Sequence, residues 1–175
     1  MKNRISVIQG DITKQQVDAI VNTTDPYFSG SSVVDEAIHS AAGSQLREEC
    51  DRLIGSVRSE VKITSGYNLP ARWIIHIVAP LWQKGNNEDR MLAVAECYRN
   101  CLALAEEYSI KTIAFPAISR SMLGFPRRTA ARIAVGEVKV FLKRNNSVEK
   151  VVFVCLEEKY YYHYLNAVNE IIEEG

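Results

Sequence analysis

Small, hydroxyl-bearing and charged residues cluster in three short segments that suit the binding of a phosphorylated ligand: residues 10–13, 22–35 and 116–126. The first segment follows a strand-like run, and its Asp11 carboxylate is able to accept a hydrogen bond from an exocyclic amine. A plain turn or helix cap also explains an aspartate followed two residues later by a threonine. The first segment therefore predicts either a contact to a nucleobase or a local cap.

The second segment places small residues directly before a helical pattern. Gly30, Ser31 and Ser32 precede that helix, whose first backbone N–H groups form a natural cradle for phosphate. Asp35 falls in the first turn, where a carboxylate is favourable for electrostatic reasons alone, and His39 shares its helix face. We interpret His39 as a structural residue and leave two roles open for Asp35, that of a helix-start carboxylate and that of a functional group.

The third segment runs from the end of a buried strand to Pro126 at the start of a helix. Ser119, Ser121 and the backbone N–H groups of this loop are suited to a second phosphate, with which Arg120 would pair directly. An ordinary connection with a solvated arginine explains the same residues. Two phosphate-binding loops at one edge of a sheet, with Asp11 nearby, together describe a cleft for a nucleotide diphosphate sugar.

The elements that carry these segments alternate between buried strands and amphipathic helices. Apolar runs predict strands at residues 5–8, 17–21, 61–64, 73–78, 112–115 and 151–155, and helical periodicity predicts helices at 34–42, 91–105, 130–142 and 161–172. This order predicts an α/β fold built as a three-layer α/β/α sandwich. Such sheets bind ligands beyond the carboxyl ends of their strands, which is where all three segments fall.

Composition limits the classes of function. With 175 residues, 47% of them apolar, the chain is long enough for one domain with its own core, at residues 1–175. Because the net charge is +0, the chain has no overall positive charge that would attract it to nucleic acid or to an anionic membrane. The absence of a long apolar run and of CxxC spacing indicates a cytoplasmic protein with free thiols. The histidines lack ligand-like spacing, so we expect no metal and no cofactor.

Longer blocks of sequence carry a resemblance to a known family. They are GDIT at 10–13, DAIVN at 18–22, KITSGYNLP at 62–70, WIIHIVAP at 73–80 and AFPAIS at 114–119. Together these blocks resemble the macro domain family, which comprises ADP-ribose-binding modules and de-ADP-ribosylating hydrolases. The resemblance extends from Val7 to about Tyr164, and it implies the α/β/α sandwich of that family with a mixed central sheet.

The resemblance implies roles for individual residues. Asp11 corresponds to the family's aspartate that reads the adenine amine, and Ile12 corresponds to its neighbour, which makes a backbone contact. Leu156 falls where members often stack an aromatic ring on the adenine. Asp35 matches the catalytic aspartate of the hydrolytic members, and Asp25 stands where the family has an asparagine that contacts the distal ribose.

The departures from the family pattern concentrate in the two phosphate-binding loops. Asp25 brings a negative charge near a dianionic ligand, only Gly30 remains of the family's glycine run, and the β-branched Val33 would be strained at a positive φ. The family's STGVYG loop is SRSMLG here. The predicted ligand-binding residues are Asp11, Ile12, Asn22, Gly30, Ser31, Ser32, Val33, Ser119, Arg120, Ser121, Met122, Leu123, Gly124 and Leu156.

These substitutions imply a protein that binds ADP-ribose, or a related nucleotide diphosphate sugar, with weak or absent hydrolysis. One alternative is a hydrolase of O-acetyl-ADP-ribose or of ADP-ribosylated protein, with Asp35 as the catalytic group and Asp25 as a supplement. A second alternative is a divergent macro domain with another ligand or a scaffold role. We expect a small-molecule ligand, with ADP-ribosylated protein as a further partner, and neither nucleic acid nor a membrane.

Overall fold

Strands form where valine and isoleucine dominate short runs, and helices form where apolar residues recur every three to four positions. The computed structural model describes residues 1–25, 27–30, 32–55, 60–78, 87–118 and 125–173. The strands are β1 (Ile5–Gln9), β2 (Ala19–Thr24), β3 (Val61–Ser65), β4 (Trp73–Val78), β5 (Thr112–Phe115) and β6 (Lys150–Cys155). The α-helices are α1 (Val33–Ala42), α2 (Ser44–Asp51), α3 (Asn87–Glu107), α4 (Arg127–Arg144) and α5 (Glu158–Glu173). Two 3₁₀ turns, Lys2–Arg4 and Ile12–Lys14, flank β1.

The strands form one sheet in the order β1-β6-β5-β2-β4-β3. All neighbouring pairs are parallel except β3 and β4, which are antiparallel because the short connection at residues 66–72 turns the chain straight back. The central sheet is therefore mixed, as predicted. Since β1, β2, β5 and β6 all run parallel, their carboxyl ends meet at one edge, and the three predicted segments begin there.

Helices cover both faces of the sheet and create two apolar cores. One core lies beneath α3, α4 and α5 and contains the packed aromatic rings of Tyr98, Phe115, Phe153 and Tyr164. The other lies beneath α1 and α2. Alternate residues of β2 supply the two cores, because successive side chains of a strand point to opposite faces. This arrangement confirms the predicted three-layer α/β/α sandwich.

One helix, α2, was not predicted from the sequence. Helix α2 is mostly polar, and only Leu46 and Cys50 of its residues are buried, so it lacks a strong apolar stripe.

All four cysteines are free and buried, and burial raises the pKa of the Cys50 and Cys155 thiols to about 12. Within the described ranges, no helix has the length and apolar character that a bilayer crossing requires.

Arg4 connects the 3₁₀ turn Lys2–Arg4 to the C-terminal end of α4 through hydrogen bonds. Its guanidinium donates hydrogen bonds to the backbone carbonyls of Leu142, Asn145 and Val148, which places a cation at a helix C-terminus. We expect Arg4→Ala to lower the free energy of unfolding by about 2–3 kcal/mol, because hydrogen bonds from a charged donor to partly buried acceptors are lost. Urea unfolding followed by circular dichroism measures this loss.

The control for Arg4 is an arginine with a well-formed but exposed ion pair. Arg47 contacts Asp51 at 3.1 Å between Nε and Oδ1, and both side chains are more than a third exposed. Arg47→Ala should therefore change the free energy of unfolding by less than about 0.5 kcal/mol. Equal losses in the two variants would contradict the structural role of Arg4.

Candidate functional site

The described parts of the three predicted segments meet at one cleft beyond the carboxyl ends of the strands. The first segment contributes residues 10–12, the second contributes Val33 and Val34, and the third contributes Pro116 and Ala117. The empty volume is about 560 Å³, including the part that opens to solvent. Its place in the fold is the one expected for a ligand site of an open α/β sheet.

The walls of the cleft are almost entirely apolar. Val154 near the end of β6, Leu156 directly after that strand and Tyr160 in the first turn of α5 also line the cleft. Among the lining residues that the structure describes, Asp11 alone carries a charge. Aliphatic walls with a single charged acceptor suit a flat, mostly apolar ring that has a hydrogen-bond donor on one edge.

The two carboxylate oxygens of Asp11 have different surroundings. Oδ1 accepts hydrogen bonds from the Thr13 backbone N–H at 2.9 Å and from its hydroxyl at 2.7 Å, which caps the 3₁₀ turn Ile12–Lys14. Oδ2 accepts no hydrogen bond from any residue in the described part of the chain. The Thr13 hydroxyl holds the pKa of Asp11 below its usual value. Asp11 is therefore both the predicted cap and an ionised acceptor with one oxygen left for a ligand.

Asp35 lies inside the protein and holds the second segment together. Its Oδ1 accepts a hydrogen bond from the Asn22 side-chain amide at 2.8 Å, and its Oδ2 accepts from the Thr24 hydroxyl at 2.7 Å and the Gly30 backbone N–H at 3.0 Å. His39 Nε2 lies 3.4 Å from Oδ1. Burial favours the neutral acid, but the nearby imidazole of His39 and the hydrogen bonds from Asn22 and Thr24 outweigh it and keep the pKa of Asp35 below its usual value.

Comparison with known proteins connects this architecture to a family. The family model described as "Macro domain" matches residues 21–134 of the chain. The chain belongs to the macro domain family. A macro domain-containing protein of Methanosarcina mazei is 54% identical over 154 residues, which cover 87% of this chain and 81% of that protein. A protein of Escherichia fergusonii named O-acetyl-ADP-ribose deacetylase is 45% identical, with 91% of this chain and 92% of that protein covered.

Solved macro domains share the fold along nearly the whole chain. The Oceanobacillus iheyensis macrodomain with MES bound superposes with a TM-score of 0.89 at 35% identity, covering 97% of this chain and 92% of that one. The Trypanosoma brucei macrodomain in complex with ADP-ribose superposes with a TM-score of 0.86 at 34% identity, covering 94% of this chain and 69% of that one.

The macro domain resemblance assigns catalysis to two carboxylates, and in this structure both are engaged by their own loop. Asp35 is 1% exposed and does not line the cleft. Asp25 accepts the Tyr27 backbone N–H on Oδ1 at 2.8 Å and the Ser29 hydroxyl on Oδ2. Because hydrogen bonding makes a carboxylate a weaker base, the geometry supports a structural role for Asp35. The catalytic roles of Asp35 and Asp25 stay predictions.

Three predicted ligand contacts take a different place in this macro domain. Asn22 is fully buried and is not among the residues that line the cleft, and its predicted contact with a ligand stays a prediction. Ser32 is the N-cap of α1, and its hydroxyl accepts the Asp35 backbone N–H at 3.2 Å. Gly30 has a φ of +73° and lines a separate, more open depression beside His39. The side chains of the second segment build the start of α1, which requires these polar groups for itself.

Three other predicted residues lie on the cleft wall. Ile12 is nearly buried, whereas Val33 and Leu156 are each about half exposed and are open to a ligand. Val33 is the first residue of α1 and is not among the residues of positive φ, so the strain expected of a β-branched residue does not arise. Their contact with a ligand stays a prediction.

Several predicted residues cannot be compared with the structure. Ser31 of the second segment lies outside the described residues, and so do the phosphate-loop residues Ser119, Arg120, Ser121, Met122, Leu123 and Gly124. The ends of that loop are described on both sides, at Ile118 and at Phe125, and both side chains are buried. The third segment is therefore anchored in the apolar core at both ends.

Six apolar side chains of the lining were not among the predicted ligand contacts. They are Val34, Ala37, Pro116, Ala117, Val154 and Tyr160. Only their position in the sequence could have indicated some of them, because Pro116 and Ala117 directly follow β5 and Val154 is the penultimate residue of β6 at the same edge. Tyr160 also carries two cations against its ring, with Arg127 Cζ at 5.8 Å and Lys159 Nζ at 5.7 Å from the ring centre.

Proposed function

We propose that this macro domain binds ADP-ribose or a closely related nucleotide diphosphate sugar, with the base in the apolar cleft. The observation that carries the proposal is the cleft itself, where the three segments meet and Asp11 has one uncommitted carboxylate oxygen. Family membership and the ADP-ribose complex of the Trypanosoma brucei macrodomain support this choice of ligand.

The chemistry of the lining fits a purine nucleotide. The Asp11 Oδ2 atom would accept a hydrogen bond from the adenine amine, while Val33, Val154 and Leu156 would contact the faces of the base. Arg127, whose guanidinium lies 5.8 Å from the ring centre of Tyr160, brings positive charge close to a cleft lining that otherwise holds one negative charge, whereas Lys159 is paired with Glu157. That charge favours a ligand that carries phosphates.

Asp11→Asn tests the proposed base contact with the smallest change in shape. The asparagine carbonyl oxygen is able to keep the cap on Thr13, but its amide would present a donor to the adenine amine where Oδ2 offered an acceptor. Calorimetric titration with ADP-ribose should give an affinity about 10- to 100-fold weaker than that of the wild type, because a hydrogen bond to a charged acceptor is lost.

The matched control is Asp51→Asn, which neutralises an exposed carboxylate that is not part of the cleft lining. It should leave ADP-ribose affinity unchanged, and both variants should unfold within about 1 kcal/mol of the wild type. If wild-type protein binds no ADP-ribose under these conditions, the proposed function is wrong. If Asp11→Asn binds as tightly as the wild type, the proposed base contact is wrong.

Hydrolysis is the second candidate function, and the name of the Escherichia fergusonii relative favours it. The enclosed position of Asp35 supports binding with weak or absent hydrolysis instead, because a buried, hydrogen-bonded carboxylate of lowered pKa is a poor base for water. Incubation with O-acetyl-ADP-ribose, with acetate release followed over time, distinguishes the two. Repeated turnover by the wild-type protein would make hydrolysis the primary activity; acetylated and ADP-ribosylated substrates can be compared in the same way.

A further inference from the structure

A histidine and an asparagine meet inside the sheet, beneath the second segment. His76 of β4 and Asn22 of β2 are register partners on adjacent strands, and neither is exposed. The Asn22 Nδ2 atom lies 3.1 Å from His76 Nδ1, and His76 Nε2 lies 2.9 Å from the Thr64 hydroxyl of β3. Three neighbouring strands are thus linked by side chains as well as by their backbones.

The direction of each hydrogen bond in this cluster follows from one carboxylate. Asp35 is ionised and only accepts, so the atom of Asn22 that faces it must be the Nδ2 donor. The second Nδ2 hydrogen then points to His76 Nδ1, which must accept. His76 is therefore neutral with its proton on Nε2, where it donates to the Thr64 hydroxyl, and that hydroxyl donates to the Ser65 carbonyl. Burial supports this state, because it lowers the pKa of His76 to about 3.

Two routes connect His76 to the loop that precedes α1. Through Asn22, the hydrogen bonds continue to Asp35 and from there to the backbone N–H of Gly30. Directly, the ring of His76 contacts the ring of Phe28 edge-on, at 5.7 Å between centroids. Phe28 is fully buried although its φ is +52°, a conformation that the surrounding contacts must hold.

We propose that His76 is a positioning residue, which orients the Asn22 amide so that Asp35 holds the loop at Gly30 and the start of α1 in place beside the cleft. The role follows from the acceptor that His76 presents, not from the space it fills. The inference rests on the proposed function only where ligand affinity is measured, since the position of the loop is a property of the free protein.

Two substitutions separate the acceptor from the volume of the ring. His76→Asn keeps an oxygen near the position of Nδ1, so it still accepts from Asn22. His76→Gln keeps an amide near the position of Nε2, so it still reaches Thr64 but leaves Asn22 without its acceptor. Both variants lose the ring contact with Phe28, so the loss of that contact does not account for a difference between them at Gly30.

The first readout is hydrogen exchange of the Gly30 backbone N–H in the free protein, measured by NMR. We expect exchange about tenfold faster in His76→Gln than in His76→Asn, under conditions in which both remain folded. The second readout is ADP-ribose affinity, which should fall about tenfold in His76→Gln and less than about threefold in His76→Asn. Equal exchange rates at Gly30 in the two variants would overturn the proposal.

A measurement on the wild-type protein covers the case in which a variant does not fold. The ¹⁵N resonances of the imidazole report which nitrogen is protonated, and we expect a neutral ring with the proton on Nε2 between pH 5 and 8. A proton on Nδ1 would overturn the proposal, because Asn22 would then face a donor. If ADP-ribose does not bind the wild type while the Gly30 exchange rates differ as expected, the proposed function fails and the positioning role stands.

Discussion

Asp35→Ala is expected to lower the free energy of unfolding by about 3–5 kcal/mol, because the substitution leaves several buried donors without an acceptor. The amide of Asn22, the hydroxyl of Thr24 and the backbone N–H of Gly30 all donate to this carboxylate. Water does not reach the site in the folded protein, since Asp35 is 1% exposed. Equilibrium unfolding in urea, followed by fluorescence of the two tryptophans, gives the loss directly.

Two further variants test whether the hydrogen bonds are responsible. Asp35→Asn keeps one acceptor oxygen and should fall between wild type and Asp35→Ala in stability. Asp51→Ala removes a carboxylate that is 58% exposed and should change stability by less than about 0.5 kcal/mol. A loss below about 1 kcal/mol in Asp35→Ala would show that the carboxylate does not hold the loop.

The same carboxylate makes stability depend on pH in a definite direction. Its pKa in the folded protein lies below the ordinary value of 3.8, so the unfolded chain binds more protons in acid. The contribution of Asp35 is therefore present above about pH 4 and is lost as the pH falls through the folded pKa. Wild type should lose stability on acidification more steeply than Asp35→Asn, and parallel curves for the two proteins would contradict this.

Gly66→Ala is the second substitution with a large expected effect. Gly66 lies in the turn between β3 and β4, and a Cβ atom built on it would lie 1.9 Å from the backbone carbonyl oxygen of Ala71. The backbone there cannot yield easily, because the Gly66 N–H donates to the Arg72 carbonyl at 2.8 Å. We expect a loss of about 3 kcal/mol or more, which corresponds to a fall of roughly 6–12 °C in the melting temperature.

A second glycine provides the matched control. Gly136 lies in the interior of α4, and a Cβ atom there would meet nothing within 4 Å. Gly136→Ala should raise stability by about 0.5–1 kcal/mol, because alanine favours the helix over glycine. Calorimetric melting of the two variants should thus show shifts of opposite sign. A melting temperature of Gly66→Ala close to that of the wild type would mean that the turn adapts without cost.

The fold could be predicted from the sequence because its strands are short apolar runs with clear limits. The runs at 73–78 and 112–115 match β4 and β5 residue for residue. Parallel strands bring their carboxyl ends to one edge, so the meeting of the three segments followed from topology without knowledge of any side-chain contact. Helix α2 was missed because its residues are too polar to show a helical stripe.

The second segment shows where sequence reasoning ends. Asn22 directly follows the predicted strand 17–21, and the structure places it inside β2 with its side chain fully buried. A buried amide needs a hydrogen-bond partner, but the sequence does not identify that partner. His76 is distant in sequence, and only the pairing of β2 with β4 brings the two together. The two possible roles of Asp35 could not be separated for the same reason, because its contacts depend on how the chain folds. Its type and spacing fitted both a helix-start carboxylate and a functional group, and burial favours the first.

Tyr160 shows a related limit at the other wall of the cleft. The periodic pattern predicted a helix over 161–172, and α5 begins earlier, at Glu158, so Tyr160 falls in its first turn. Helix limits are the weakest part of any pattern because the first turn has little apolar periodicity of its own. The only aromatic residue among the described lining of the cleft therefore lay just outside the predicted element.

The Gly30 N–H donates to Asp35, and the Tyr27 N–H and the Ser29 hydroxyl donate to Asp25, so the protein's own contacts order this part of the loop. The entropy lost in ordering this part of the loop is therefore a cost of folding and not of complex formation. A ligand that enters beside α1 meets a preorganised wall, so its association should require no slow rearrangement of these residues. Differences in residence time between related ligands would then arise from the contacts each of them makes.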